Sequence, residues 1–196
     1  MGVQIRMRKI SGLFVILMCL SGVKGASVSM EHEEKAKPLV FELKKLIQTP
    51  EVLAAVKEQN QKHAALTQDD INALDKRWLA KDSTLINPTV QNQVSNYLRK
   101  LQLDSKGMYL EIFVMDNRGL NVGQSGPTSD YWQGDEDKWL KTFKVGPDAV
   151  HISKIEYDDS TKMFQFQLSF PVVDAGEVIG AVTFGINWNL LKQSSK

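Results

Sequence analysis

The segment 121–139, NVGQSGPTSDYWQGDEDKW, holds the densest set of residues that could do chemistry. Tyr131 and Trp132 stand beside Asp130 in a polar stretch, and Asp135 follows shortly after. Aromatic side chains with polar tips suit the wall of a ligand pocket. Aromatic rings beside carboxylates also attract cations. The pattern therefore predicts a site for a small cationic or amine-bearing ligand, with Asp135 or Asp130 orienting it.

The acidic residues after Gly134 also have a purely structural interpretation. A short helix is predicted from Asp135 to about Phe143, with Gly134 interrupting regular structure just before it. Acidic residues are favoured in the first turn of a helix, where the dipole attracts negative charge. Trp139 and Phe143 are four positions apart, so they would pack together against the core. This interpretation is favoured for Glu136, Asp137, Trp139 and Phe143, whereas Tyr131 and Trp132 precede the helix.

Motifs for catalysis and metal binding are weak. The three histidines, His32, His63 and His151, are far apart, and HEEK at residues 32–35 lacks the second histidine of a zinc helix. A hydrolase would need a nucleophile beside a base, and only Ser125 or Ser169 with His151 could supply that pair. The spacing of these residues does not support it. The sequence therefore predicts no enzymatic activity, no metal and no cofactor.

The first 25 residues have the pattern of a secretory signal peptide. The basic stretch RMRK is followed by the apolar run ISGLFVILMCL and by small residues ahead of Ala26. The apolar run has 11 residues, short of the roughly 20 needed to span a bilayer. We therefore expect cleavage before Ala26, with residues 26–196 forming one domain in the periplasm.

Removal of that peptide changes the charge and the cysteine content. The full chain has 24 basic and 23 acidic residues, which gives a net charge of +1. Four basic residues lie in the first 25, so the mature domain would have 20 against 23, a net charge of −3. The sole cysteine, Cys19, would also be lost. A cysteine-free exported domain fits a bacterial envelope, and the lack of a basic patch argues against nucleic acid as a partner.

Helical patterns fill most of residues 30–104. Thr49 precedes a proline, which is typical of an N-cap followed by the first helical position. Thr67 and Asp70 resemble a capping box with aspartate in place of glutamate. Asn87 and Pro88 predict the start of another helix.

Residues 108–190 are predicted to form five strands: MYLEIFVM, LNVGQS, AVHISKIEY, KMFQFQLSFPV and EVIGAVTFGI. The fourth strand alternates, with Phe164, Phe166, Leu168 and Phe170 on one face and Gln165, Gln167 and Ser169 on the other. The apolar face should cover the helices. The polar face either contacts solvent or lies under the long segment between strands two and three and lines a pocket. Helices packed on an antiparallel sheet make an α+β fold.

Three features together resemble the extracytoplasmic Cache (PAS-like, PDC) sensor domains of bacterial chemoreceptors, histidine kinases and cyclases. They are a strand that ends in D-x-x-G at residues 116–119, the segment TSDYWQGDE, and the closing hairpin PVVDAGEVIGAVTFGI. The resemblance covers roughly residues 30–190. It implies a single Cache domain with a long N-terminal helix on a five-stranded antiparallel PAS-like sheet. It also implies a small-molecule pocket between the sheet and the segment that joins strands two and three.

The chain departs from that family in two respects. It lacks the Arg-x-Trp-Tyr arrangement of amino-acid-binding double Cache domains, and we expect no membrane span or output module after the domain. The resemblance therefore implies a free-standing periplasmic sensor that signals through a separate membrane-bound kinase, cyclase or chemoreceptor. The alternative is a structural or protein-interaction module that has lost its ligand. The predicted ligand-binding residues are Tyr131, Trp132, Asp135, Asp130, Gln167, Ser169 and His151.

Overall fold

The computed structural model describes residues 21–158 and 162–194, with side chains from residue 31 onward. Within these ranges the elements are α1 (Ser21–Ile47), α2 (Pro50–Lys62), α3 (Gln68–Leu79), α4 (Ser83–Gln91), α5 (Gln93–Asp104), β1 (Tyr109–Met115), β2 (Asn121–Gln124), α6 (Asp137–Leu140), β3 (His151–Ile152), β4 (Glu156–Asp158), β5 (Met163–Asp174), β6 (Glu177–Asn187) and α7 (Trp188–Gln193). The predicted signal peptide covers residues 1–25, of which residues 1–20 lie outside the described residues and residues 21–25 begin α1. None of the helices described is both long and apolar enough to cross a membrane.

The predicted helix starts at Thr49 and Thr67 are confirmed. The Thr49 side chain accepts a hydrogen bond from the Val52 amide, and Pro50 is the first residue of α2. Thr67 and Asp70 form a reciprocal capping box at the start of α3. These caps could be predicted because each depends on residues no more than three positions apart.

The predicted helix start at Pro88 is wrong. Helix α4 begins at Ser83, because the Asp82 carboxylate accepts the Thr84 amide at 2.9 Å. Pro88 therefore lies inside α4, where it removes one backbone donor. The next helix, α5, begins only after Asn92, whose side chain accepts a hydrogen bond from the Ser95 amide at 2.8 Å.

The sheet is antiparallel with the order β2–β1–β6–β5–β3, and β4 also pairs with β5. The α+β class is confirmed, but the predicted third strand is divided into β3 and β4. The division occurs at Ser153. Its amide donates to the Gln167 carbonyl at 2.8 Å, whereas the Gln167 amide donates to Ser153 Oγ at 2.8 Å instead of to a carbonyl. The two short strands together occupy the predicted place beside β5.

The apolar face of β5 packs against the helices, as predicted. Phe166, Leu168 and Phe170 are buried in one cluster with residues of α1, α2 and α5. Phe164 differs, with 48 % of its surface exposed, because it lies at the start of β5 beyond the edge of this cluster. The sheet and the helical layer therefore share one core.

The polar face of β5 is covered by the segment between β2 and β3. Within that segment Trp139 is buried and stacks on Phe143, with ring centroids 4.8 Å apart, as the spacing predicts. The helix that carries Trp139, α6, has four residues and is shorter than predicted. Of the two alternatives for the polar face, the covered one is therefore correct.

Candidate ligand cavity over the sheet

A cavity of about 620 Å³ lies between the polar face of the sheet and the segment that covers it. Its volume is in the range of small-molecule sites. Strands β1 and β5 form the floor, and the covering segment and residues 153–158 form the walls. Its lining includes Glu111, Phe113, Gln133, Lys138, Gln165 and Gln167.

Gly185 makes room for the floor of this cavity. It pairs with Glu111 across β1 and β6 and with Gln167 across β6 and β5. A Cβ atom at this position would lie 2.5 Å from Glu111 Cγ and 2.7 Å from Gln165 Oε1. Because Gly185 has no side chain, Glu111 and Gln165 both lie over the same point of the sheet.

Glu111 is a mostly buried carboxyl group within the cavity. The Gln167 side-chain amide donates to Glu111 Oε1 at 3.0 Å. Burial raises the pKa of Glu111 above its ordinary value, while the hydrogen bond from Gln167 and the charge of Lys138 oppose that rise. A cationic ligand would favour the ionised form and so offset the cost of burying it.

Lys138 is a buried cation that is already paired. Its Nζ lies 2.8 Å from Glu136 Oε2 and 3.0 Å from Gln133 Oε1, and it sits 5.4 Å from the centre of the Phe113 ring. The whole lining contains four acidic residues, Glu111, Glu136, Glu156 and Asp158, and two basic ones, Lys138 and Lys154. The cavity therefore has an acidic excess of two.

Gln165 has an unsatisfied acceptor in the floor of the cavity, and less than 1 Å² of that oxygen is exposed. The residue is 7 % exposed, and its Nε2 donates to Asp158 Oδ2 at 2.8 Å. No donor in the described part of the chain reaches its Oε1. An unpaired buried acceptor costs roughly 1–3 kcal/mol, so a ligand that donates a hydrogen bond here would relieve that cost.

Three of the predicted binding residues lie on the sheet, and only Gln167 lines this cavity. Ser169 is fully buried, and its hydroxyl is 2.9 Å from Thr183 Oγ1. His151 lines an adjoining cavity of about 410 Å³ that shares Lys138 and Gln167 with the first. Burial, followed by the charge of a nearby lysine, lowers the pKa of His151.

Tyr131 and Trp132 do not form the wall that the sequence predicts. Their backbone amides both donate to Asp75 Oδ1 of α3, at 2.9 and 3.0 Å. This contact turns both rings toward the helices. Tyr131 stacks on Trp78 with ring centroids 5.4 Å apart, and Trp132 Nε1 donates to the Arg118 carbonyl at 2.9 Å.

The two predicted acidic residues also lie outside the cavity lining. Asp130 accepts a hydrogen bond from its neighbour Ser129 at 2.6 Å, and Asp135 is exposed. The residues that sequence reasoning missed are Glu111 and Lys138. Glu111 had a detectable signal, because it is the only charged residue in the otherwise apolar strand MYLEIFVM.

No protein-family model matches the chain, and no curated protein matches it either. Solved structures do resemble it. One is the ligand-binding domain of the Campylobacter jejuni chemoreceptor Tlp3 in complex with 4-methylisoleucine, with 17 % sequence identity and a TM-score of 0.42. The match covers 82 % of this chain and 62 % of that chain. The V. cholerae histidine kinase DctB sensor domain has 14 % identity, a TM-score of 0.37, and coverages of 87 % and 60 %.

A third similar structure is the ligand-binding domain of the Pseudomonas aeruginosa PAO1 amino acid chemoreceptor PctC in complex with GABA. It has 11 % identity, a TM-score of 0.44, and coverages of 89 % of this chain and 62 % of that chain. This chain therefore spans 60–62 % of the length of the three structures. Two of these structures are ligand-binding domains of chemoreceptors, and the other is the sensor domain of a histidine kinase.

Proposed function

We propose that this chain is a sensor module that binds a small amine-bearing molecule in the cavity over the sheet. The observation that carries the proposal is the unsatisfied Gln165 Oε1 beside the Glu111 carboxyl. An ammonium group has three donors, and these two side chains offer acceptors over Gly185. Hydrogen bonds in which a partner is charged are roughly twice as strong as neutral ones.

The charge of the lining supports the same ligand class. Lys138 is paired with Glu136, so it does not neutralise Glu111, and the lining as a whole is acidic. A cation would therefore be attracted into the cavity. An anion would be repelled by the acidic side chains unless it displaced Glu136 from Lys138. Phe113 adds an aromatic face to this wall.

The module acts by binding and not by catalysis in this proposal. The hydrolase alternative needs a reachable serine beside His151. Ser169 is fully buried and bonded to Thr183, and the buried Ser125 accepts the Ile112 amide at 3.0 Å. Neither hydroxyl is placed to meet a substrate.

We further propose that the mature module works in the periplasm and passes its signal to a separate membrane-bound kinase, cyclase or chemoreceptor. The N-terminal basic stretch and apolar run support export. N-terminal sequencing of the protein from the envelope fraction tests this, with a start near Ala26 expected. A start at Met1 would contradict it.

A thermal-shift screen of small amines against matched carboxylic acids, followed by calorimetric titration, tests the binding proposal. We expect an amine to stabilise the protein and Gln165→Met to weaken its binding by about tenfold or more, since one charge-assisted hydrogen bond is lost. Gln91→Met, at an exposed position of α4, is the matched control. Failure of every amine would favour the alternative of a structural or protein-interaction module.

A further inference from the structure

A second cavity, of about 590 Å³, lies among the helices on the other side of the sheet. Helices α2, α3, α4 and α5 surround it, and Val122 of β2 and Tyr131 close it from the sheet side. Much of its lining is apolar: Ala55, Leu74, Leu85, Pro88, Val94 and Val122. It shares no lining residue with the cavity over the sheet.

His63 carries a fixed imidazole at this cavity. Its Nδ1 lies 2.8 Å from Asp116 Oδ2, and Asp116 is fully buried. The same carboxylate accepts hydrogen bonds from Gln59 Nε2 and from the amides of Arg118 and Leu120. Because a carboxylate oxygen accepts, Nδ1 is the ring nitrogen that donates to Asp116.

The other ring nitrogen of His63, Nε2, is left for a ligand. The side chain is 11 % exposed and lines the cavity, and no described residue bonds to Nε2. Nδ1 faces the fully buried Asp116 carboxylate, so Nε2 is the ring nitrogen that a ligand in the cavity would meet. The structure therefore places an imidazole ring of fixed orientation in a cavity lined by both apolar and polar side chains.

The charged groups of the lining favour an anion. Lys62 and Arg77 are the cations, and Glu58 is the only acidic residue among those that line the cavity. Arg77 is ion-paired with Asp82 at 2.8 Å and bonded to Thr84 at 3.1 Å, so the unpaired positive charge of the lining comes from Lys62. Lys62 makes no ion pair within the described part of the chain.

We infer that this cavity is a second ligand site, for a small hydroxylated organic acid. The apolar body of the ligand would pack on Leu85 and Tyr131, its hydroxyl would donate to His63 Nε2, and its carboxylate would meet Lys62 and Arg77. Burial raises the pKa of the Tyr131 phenol well above its ordinary value, so the ring contributes no charge of its own. Tyr131 thus lines a cavity, although not the one that the sequence predicts.

Calorimetric titration of the protein with 4-hydroxyphenylacetate tests the inference. The comparison compounds are phenylacetate, which lacks the hydroxyl, and 4-methylphenol, which lacks the acid and has no amine that the cavity over the sheet would bind. We expect the first compound to bind and each of the other two to bind about tenfold more weakly or not at all, because each loses one polar contact. Absence of binding by 4-hydroxyphenylacetate, or equal binding of all three, would overturn the inference.

Ala55→Phe locates the site without changing His63. Ala55 lines the cavity on α2, so a phenyl ring there should fill part of it and lower the affinity at least tenfold. The matched control is Ala54→Phe, one residue earlier on the exposed face of the same helix, which should bind as the wild type does. Melting curves of both variants establish that they fold.

Gln165→Met separates the two sites, because it alters only the cavity over the sheet. We expect this variant to bind 4-hydroxyphenylacetate as tightly as the wild type. Loss of binding in Gln165→Met, or wild-type binding by a folded Ala55→Phe variant, would place the acid elsewhere and overturn the assignment.

Discussion

His32 Nε2 lies 2.9 Å from the carbonyl oxygen of Ser153, so it joins helix α1 to the wall of the cavity over the sheet. Ser153 is bonded to the backbone of Gln167 through both its amide and its hydroxyl. The Gln167 side chain in turn donates to Glu111. A continuous series of hydrogen bonds therefore runs from α1 to the carboxyl group that we propose as a ligand acceptor.

Replacing His32 should loosen α1 from that wall. His32→Ala leaves the part-buried Ser153 carbonyl without its donor, and we expect a loss of about 1–3 kcal/mol in the free energy of unfolding. His32→Gln retains an N–H donor and should lose less. Denaturant unfolding of both variants measures the difference. Equal losses would mean that the ring contributes through its packing on Phe166, at 5.1 Å between centroids, and not through the hydrogen bond.

Features that depend on neighbouring residues could be predicted from the sequence, as Thr49 and Thr67 show. The faces of β5 could be predicted too, because alternation along a strand is a local property. The direction of Tyr131 and Trp132 could not. It is set by Asp75, more than fifty residues earlier, whose carboxylate accepts both backbone amides. Likewise, the site residue Lys138 enters the cavity only because the segment between β2 and β3 folds back over the sheet.

Phe166→Ala should be strongly destabilising. The side chain is 1 % exposed in the main core, and truncation of such a residue costs about 3–5 kcal/mol. Phe164→Ala is the matched control on the same strand, since Phe164 is half exposed and should cost under about 1 kcal/mol. Chemical unfolding compares the two variants. Similar losses would contradict the assignment of the core.

Trp132→Ala should act on stability and not directly on the sheet cavity. The ring packs in a helix-side cluster, and its Nε1 bonds the Arg118 carbonyl. Truncation should therefore cost on the order of 2 kcal/mol or more, with little change in the affinity of an amine ligand in the protein that remains folded. Thermal melts and calorimetry of the same variant measure both quantities. Complete loss of amine binding from a fully stable variant would instead restore the sequence-based prediction that Trp132 is a ligand wall.

Gly185→Ala should impair the cavity floor. The added methyl group would contact Glu111 and Gln165 at distances that require both side chains to move. We expect the affinity for an amine ligand to fall about tenfold or more, because the Glu111 and Gln165 side chains would no longer meet at one point of the floor. Gly126→Ala is the matched control, because a Cβ there meets nothing within 4 Å. Calorimetric titration decides, and unchanged binding by the folded Gly185→Ala variant would exclude this floor from the site.

The affinity for an amine ligand should rise with pH as Glu111 ionises. Burial raises the pKa of Glu111 above the ordinary value of 4.5, so the folded protein keeps this proton at a pH where the unfolded chain has lost it. Glu111 therefore lowers the stability of the unliganded protein as the pH rises from the unfolded pKa through the folded pKa. A bound ammonium group favours the ionised form of Glu111. The affinity for the amine should therefore increase as the pH rises through the folded pKa of Glu111, and then level off.

Glu111→Gln should remove the pH dependence that Glu111 gives to stability and to amine affinity, while leaving a side chain of similar size. We expect the amine to bind this variant more weakly above the folded pKa of Glu111, with an affinity that no longer changes across that interval. The variant should also lose less stability than the wild type over the same pH range. Titrations and unfolding curves at several pH values measure both, with Glu42→Gln on the exposed face of α1 as the control. A pH profile shared by the wild type and Glu111→Gln would show that another group governs the binding of the amine.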